Sequence, residues 1–421
     1  MLKQWWLSWY QHPNINFANC TVMKRRDFLK NTTLASGALL IPAFLKPLEA
    51  MAGAELSGYK NLVIIQLSGG NDGLNTIVPY GNDIYYQKRN TIAIKQPEII
   101  KLNDMQGLNP NLSALKEIYD QGWMSIINSV GYPNPDRSHF RSMDIWQTGS
   151  DSAQFLNTGW IGRYMDANCT VNKDPYTAIE VDDTLSLAMK GVKMKGIAVQ
   201  NPGKLYQSTR EPFFKELVHE HDSAHLNEDN LGYLYKTMIE TYSSADYIQQ
   251  TTKTYNTTAQ YPQSGFAGQL KSVAKFINSG LKTRVYYVSL SGFDTHTTQL
   301  NQQGRQLKVY SEAVAAFVKD LKQAGKLDDT LVMAFSEFGR RVEQNASNGT
   351  DHGTANNVML FGGKLKKAGI YNNAPNLAVL DNGDLKYEID FRNVYATLLD
   401  KWLNVNNSLV LNKNFAGLDF V

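Results

Sequence analysis

Arg284 to Leu290 reads RVYYVSL and runs straight into Ser291-Gly292-Phe293-Asp294-Thr295-His296. The first part is aromatic and β-branched, the composition of a buried strand. The second is a glycine turn that offers a carboxylate and an imidazole two residues apart, so in extended chain both side chains point to the same side. Residues from about Gly304 to Gln323 then read as a helix, and Thr330 to Phe335 (TLVMAF) as a second apolar strand. Strand, helix, strand is the unit that builds parallel sheets. The expected fold is therefore α/β, a large and mostly parallel sheet sandwiched by helices. In such sheets ligands bind outside the carboxyl ends of the strands.

Three polar motifs stand at strand ends or in glycine turns of this kind: GFDTH (Gly292 to His296), SEFGRR (Ser336 to Arg341) and DHG (Asp351 to Gly353). They offer Asp294, His296, Glu337, Asp351 and His352, a carboxylate and imidazole set suited to a transition metal. The chain has seven histidines and two of them fall here. Taken singly, each Asp or His reads as a turn former or a cap. Three such motifs near adjacent strand ends point instead to chemistry, with metal ligation first. Ser336 and Arg340 read as residues that hold the loop, and Arg341 as solvated.

Toward the amino terminus, Asn61 to Leu67 (NLVIIQL) reads as a central strand that runs into Ser68-Gly69-Gly70-Asn71-Asp72-Gly73-Leu74-Asn75. This turn has neither the G-x-G-x-x-G spacing of a dinucleotide fold nor the G-K-[ST] ending of a P-loop, which argues against a nucleotide-using oxidoreductase. Asp72 either faces the same edge as the three motifs or satisfies its own turn. A helix around Asn111 to Gln121 and a strand at Met124 to Ser129 follow. Next come Asn134 to Phe140 (NPDRSHF) and a helix from Arg141 to Thr148 that stops at Gly149. Asp136 or Ser138 suits the cap of that helix. Ser138 and His139 at its N-terminus also lie where the helix dipole favours phosphate or sulfate.

From about Asp151 to Gln263 the strand–helix rhythm is lost, apart from short strand candidates at Tyr176 to Val181 and Gly196 to Val199. This stretch reads as an insertion that caps the carboxyl edge and shapes substrate access. His219, His221 and His225 within it read as a solvated helix face rather than a metal cluster. Asn357 to Phe361 is a further short strand, and Phe391 to Leu403 a core-facing helix.

From Met23 the chain reads MKRRDFLKNTTLASGALLIPAFL, in which Arg25 and Arg26 are followed by Asp27, Phe28, Leu29 and Lys30, a twin-arginine export signal. Its apolar stretch is shorter than the ~20 residues of a membrane span and Pro42 interrupts it, so a leader cleaved near Ala50 to Ala54 is expected rather than an anchor. Residues 1–22 read as a mis-called upstream stretch, with Met23 the initiator. Without residues 1–54 the chain holds 36 basic against 37 acidic residues and one cysteine, Cys169. That near-neutral balance carries no general bias toward nucleic acid or anionic membrane. A single cysteine excludes an intramolecular disulfide framework.

The leader, LSGGNDGLN, PDRSHF with the following W-x-T-G, TGWIGR (Thr158 to Arg163), GFDTH, SEFGRR, DHGTAN and FRNVYATLLDKWL form a specific set. On it the chain resembles, nearly throughout from Met23, the exported bacterial family called domain of unknown function 1501. That family in turn resembles the alkaline phosphatase and sulfatase superfamily, an α/β sandwich with metals at the carboxyl edge. The resemblance implies metal ligands at Asp294, His296 and His352, with an open position for water or substrate. It implies a nucleophile position at Ser138 or His139. A second metal site is altered, because Glu337 and Phe338 stand where an Asp-His pair is expected and Asp72 comes a few residues late. Glu337, Asp72 and His139 are its substitute ligands. The expectation is an exported hydrolase of phosphate or sulfate esters that uses one or two divalent ions, zinc or manganese by donor type. Its partners are the ester substrate and the twin-arginine translocase during export, with no nucleic acid and no membrane span after cleavage. The rival is a non-catalytic envelope protein that binds a ligand or partner on a degenerate site.

Overall fold

The computed structural model describes residues 59–168, 174–219, 230–253 and 255–421, without the side chains of 217–219 and 230–235. The leader, residues 1–22, Cys169, His221 and His225 lie outside the described residues, as does the side chain of His219. A nine-stranded sheet carries the fold. Its strands are β1 (Asn61–Leu67), β2 (Met124–Gly131), β3 (Ala178–Glu180), β4 (Ile197–Ala198), β5 (Val285–Leu290), β6 (Thr330–Phe335), β7 (Asn356–Phe361), β8 (Gly369–Ile370) and β9 (Ile389–Asp390). They lie in the order β8-β2-β7-β6-β1-β5-β3-β4, with β9 also paired to β2. All pairings are parallel except those of β7, which runs against both β6 and β2.

The helices used below are α1 (Asp83–Lys88), α2 (Ala114–Asp120), α3 (His139–Thr148), α4 (Trp160–Ala167), α5 (Pro202–Thr209), α6 (Pro212–His219), α7 (Asn230–Thr252), α8 (Gly265–Asn278), α9 (Gln299–Gln323) and α10 (Phe391–Thr397). They cover both faces of the sheet, and β1 shows why. All seven of its residues are buried, and successive side chains on a strand point to opposite faces. Val63, Ile65 and Leu67 join the core formed with α2, α8 and α9. Leu62 and Ile64 join a second core with α3, α4 and α10. In that second layer Trp146 stacks between Phe335 and Phe391, at centroid distances of 4.7 and 4.4 Å.

The expected class, α/β with a mostly parallel sheet between helix layers, is borne out. The reversed direction of β7 was not legible, because a short apolar run such as NNVMLF carries no mark of strand direction. Its effect on the site is direct. The carboxyl ends of β1, β2, β5 and β6 share an edge, and the amino end of β7 lies on that same edge. Residues 68–75, 132–139, 291–298 and 336–355 therefore meet there.

The described residues of the segment 151–263 do not lie as the expected cap. Its β3 and β4 extend the sheet, and α4 buries Trp160, Ile161 and Tyr164 in the core. The described part of α7 packs by the amino ends of the strands. There the Tyr247 ring lies 4.4 Å from that of Tyr176, just ahead of β3, and its hydroxyl accepts Lys282 N–H, just ahead of β5, at 3.3 Å. Helix α5 packs on α7, and Arg210 just after it pairs with Asp246. Among the described residues no helix is long and apolar enough to cross a membrane.

Glu180 ends β3, is 5% exposed and accepts the Ser186 N–H at 2.7 Å. Burial pushes its carboxyl up to about 7. The folded-state value stands above the unfolded one, so its contribution to stability is complete below about pH 4.5 and is lost as the pH rises to about 7. Glu180→Gln removes that titration. It should be more stable than the parent by about 1–3 kcal/mol at pH 8 and unchanged at pH 4, as read by urea unfolding.

Candidate metal centre

The turn after β1 sets the floor of the site. Gly69 and Gly70 have φ of +118° and +68°, and a Cβ at Gly69 would stand 2.5 Å from the Asp294 backbone nitrogen. Glycine is what lets this turn lie against the end of β5. Arg340, 2% exposed, then ties the loops together. It donates to the carbonyls of Gly70 (Nε, 2.6 Å), Gly69 (Nη2, 2.5 Å) and Thr350 (Nη1, 2.9 Å), and to Asp294 Oδ1 (Nη2, 2.7 Å). Ser336 Oγ donates to the Leu67 carbonyl at 2.6 Å and accepts the Asn71 N–H at 2.8 Å.

Beyond β5 the extended chain alternates as a strand does. Phe293 and Thr295 are fully buried, while Asp294 and His296 keep 50% and 42% of their side-chain surface exposed. His352, from the loop before β7, comes to the same point. His296 Nε2 lies 2.9 Å from His352 Nε2 and 3.1 Å from Asp294 Oδ1, and His352 Nε2 lies 3.4 Å from that same oxygen. Two donor atoms on a tetrahedral ion with bonds of 2.0–2.1 Å are about 3.3 Å apart. This triangle thus has the edges of one ion's ligand set. His352 Nδ1–H donates to the Arg137 carbonyl at 2.7 Å, which leaves its Nε2 as a bare lone pair facing His296. Two imidazole nitrogens at 2.9 Å are joined either by a hydrogen bond, with His296 Nε2–H donating to His352, or by a metal ion in that hydrogen's place.

His139 opens α3 and joins from the other side. With Asp294 and His352 it forms an overlapping, looser group whose donor atoms lie within 4.8 Å of one another. Its Nδ1 lies 2.9 Å from Glu337 Oε1, and its Nε2 lies 3.7 Å from Asp294 Oδ2. That Nε2 is buried and has no hydrogen-bond partner among the described residues. The Phe338 ring packs against the His139 and His352 rings at 4.9 and 4.7 Å and walls that side.

Electrostatics separate the groups. The hydrogen bond to Glu337 raises the His139 pKa above the ordinary imidazole value. Burial lowers that of His352. Burial would raise the Asp294 carboxyl, but the Arg340 hydrogen bond and charge bring it below the ordinary value. A low-pKa carboxylate beside a neutral imidazole suits cation binding.

Not every residue singled out in the sequence joins the cluster. Asp72 is 1% exposed and pairs with Arg89 at 2.5 Å. Its other oxygen accepts the N–H groups of Leu74 and Asn75 at 3.1 and 3.3 Å, so the carboxylate is spent inside the protein. Glu337, also 1% exposed, stands behind His139 and accepts the Gly69 N–H at 2.8 Å. It orients an imidazole rather than facing the Nε2 atoms. Ser138 is exposed, makes no capping bond, and has no hydrogen bond to the four clustered side chains. Asp351 lies at the rim, with Oδ1 3.5 Å from His296 Nδ1. Sequence reasoning missed the Arg137 carbonyl, because a backbone acceptor leaves no residue-type signal. It also missed the anchoring by Arg89, which no motif marks.

The family described as protein of unknown function (DUF1501) matches residues 131–419. No curated protein matches the sequence. Similar solved structures include the PsFucS1 sulfatase from Pseudoalteromonas sp., at 13% identity and TM-score 0.40, over 89% of this chain and 73% of that one. The lipoteichoic acid synthase LtaP from Listeria monocytogenes is similar at 12% identity and TM-score 0.34, over 74% and 67%. The alkaline phosphatase from the Antarctic bacterium TAB5 is similar at 8% identity and TM-score 0.32, over 72% and 91%.

Arg340→Lys keeps the charge but loses the fork that reaches four carbonyls, that of Phe293 included, and a carboxylate. It should lower stability by about 3 kcal/mol, measured by urea unfolding at pH 7, because several buried acceptors lose their donor.

Proposed function

The chain belongs to the family of proteins of unknown function DUF1501, and for it we propose the role of an exported, metal-dependent hydrolase of phosphate or sulfate esters. The observation that supports this most is the triangle of Asp294 Oδ1, His296 Nε2 and His352 Nε2, with edges of 2.9–3.4 Å and a half-exposed side. These three residues would hold one divalent ion, zinc or manganese by donor type, and leave a position open. Such an ion supplies Lewis acidity to an ester oxygen and acidifies the water that it binds.

The remaining work falls to the chain itself. Arg340 keeps Asp294 ionised and fixed, and the Arg137 carbonyl keeps His352 in the tautomer with a free Nε2. His139 is the proton-handling group. Glu337 fixes its Nδ1, and its unpartnered Nε2 faces the cluster, where it can give a proton to the leaving oxygen. Phe338 keeps water from the imidazole faces. Ser138 has no base on its hydroxyl, so water is the proposed nucleophile. The twin arginines Arg25 and Arg26 support export by the twin-arginine translocase, and the substrate is a small-molecule or polymer ester.

A second reading, a non-catalytic envelope protein that binds a ligand on this site, is favoured by one observation. Asp72 and Glu337, the candidate ligands of a second ion, are both engaged inside the protein. Elemental mass spectrometry with assays on aryl phosphates and sulfates separates the readings. The parent should carry close to one ion and turn over one ester class. His296→Ala and His352→Ala should lose both metal and turnover. His139→Ala should keep the metal and lose roughly 10²–10⁴-fold in kcat. Ser138→Ala should keep both. A metal-loaded parent inactive on both ester classes favours the binding protein, and a metal-free parent removes the hydrolase.

A further inference from the structure

Beneath the cluster lies a buried polar hub that no motif announces. Gln299, the first residue of α9, is fully buried. Its Oε1 accepts the hydroxyl of Thr295 at 3.1 Å and that of Thr350 at 2.6 Å. Its Nε2 donates to Asp72 Oδ2 at 2.5 Å. Thr295 stands between Asp294 and His296, and Thr350 stands two residues before His352. One amide thus joins the two loops that carry the tight triangle. Asp72 passes the constraint on to Arg89, which follows α1 and donates to the carbonyls of Arg341 and Val342 at 2.8 and 2.9 Å. Thr295, Thr350, Asp72 and Arg89 are each no more than 1% exposed, so water offers no substitute partner.

We propose that Gln299 is a positioning residue for the metal ligands: it sets the distance between Asp294–His296 and His352 through Thr295 and Thr350. The assignment rests on the metal reading above. A ligand triangle with edges near 3 Å tolerates little drift between two loops whose connection in sequence is some fifty residues long. Only an amide meets the demands of this place. It accepts two hydroxyl protons on one side and donates to a carboxylate on the other. A carboxylate there would face Asp72 as a like charge, and an aliphatic chain would strand two hydroxyls and an oxygen.

The test is zinc affinity of the full-length chain, read by competition with a chromophoric chelator, beside apo-protein melting. Gln299→Leu should retain one zinc per chain and bind it roughly 10–100-fold more weakly. Thr350→Val removes a single bond to the amide without changing shape, so it remains informative where Gln299→Leu does not fold. It should weaken zinc binding in the same direction, and Thr350→Ser should restore it. Variants that melt lower yet bind zinc as the parent does would overturn the positioning role and leave Gln299 a plain core residue. A parent that binds no zinc or manganese overturns the metal reading itself, a distinct outcome visible before any variant is made.

Discussion

A buried guanidinium holds the functional edge of this protein together. Arg340 reaches the carbonyls of Gly69, Gly70 and Thr350 and the carboxylate of Asp294, so it touches the turn after β1, the end of β5 and the loop before β7. An arginine buried with one partner is costly to desolvate. Here the donors are spread over several acceptors, and those acceptors are themselves loop carbonyls that helix and sheet leave unpaired. The same group sets the charge of Asp294. Geometry and electrostatics at the cluster thus share one origin.

Around that residue the interior is unusually polar for a sheet edge. Asn71 exchanges hydrogen bonds with Thr76 and accepts one from Gln303, and Asn356 donates to the Asn71 and Phe338 carbonyls, both at 2.9 Å. Such networks specify one arrangement when every member is satisfied. Here they replace the apolar packing that fixes the strands themselves. The loops are ordered by donors and acceptors, and the strands by Val, Ile and Leu.

The sheet was legible because its signal is local. NLVIIQL, RVYYVSL and TLVMAF are apolar in ways that only a doubly covered strand explains. Strand ends and glycine turns singled out Asp294, His296, Glu337, Asp351 and His352, the resemblance narrowed these to Asp294, His296 and His352, and the structure places donor atoms of those three within 3.4 Å of one another. His139 was singled out from the sequence and its ring does pack at the cluster, but its position there was not legible, since a histidine at a helix start serves equally as a ligand, an acid or a cap. Asp72 misled, because a carboxylate after a strand looks alike whether it meets a cation from solvent or a guanidinium from the residue after α1. The difference is made by Arg89, seventeen residues on, and pairing over that span is invisible to pattern. The direction of β7 and the course of residues 151–263 were hidden for a related reason. Both depend on which surface a short apolar run finds, not on the run.

The reversed strand has a further consequence. Because β6 and β7 are antiparallel neighbours, the chain leaves the sheet after Phe335 and returns at Asn356 on the same edge. Glu337, Phe338, Arg340 and His352 all ride on that one excursion, which contains no helix or strand of its own. Its two arms are joined by backbone bonds, from Gly339 N–H to the Thr354 carbonyl and from Arg341 N–H to the Asp351 carbonyl, and its crest is tied to the start of α9 by Thr298 N–H to the Ser347 carbonyl and Gln299 N–H to the Asn348 carbonyl. The excursion is therefore a clasp, closed on itself and hooked to α9, so His352 reaches the cluster on backbone that is tied down on both sides.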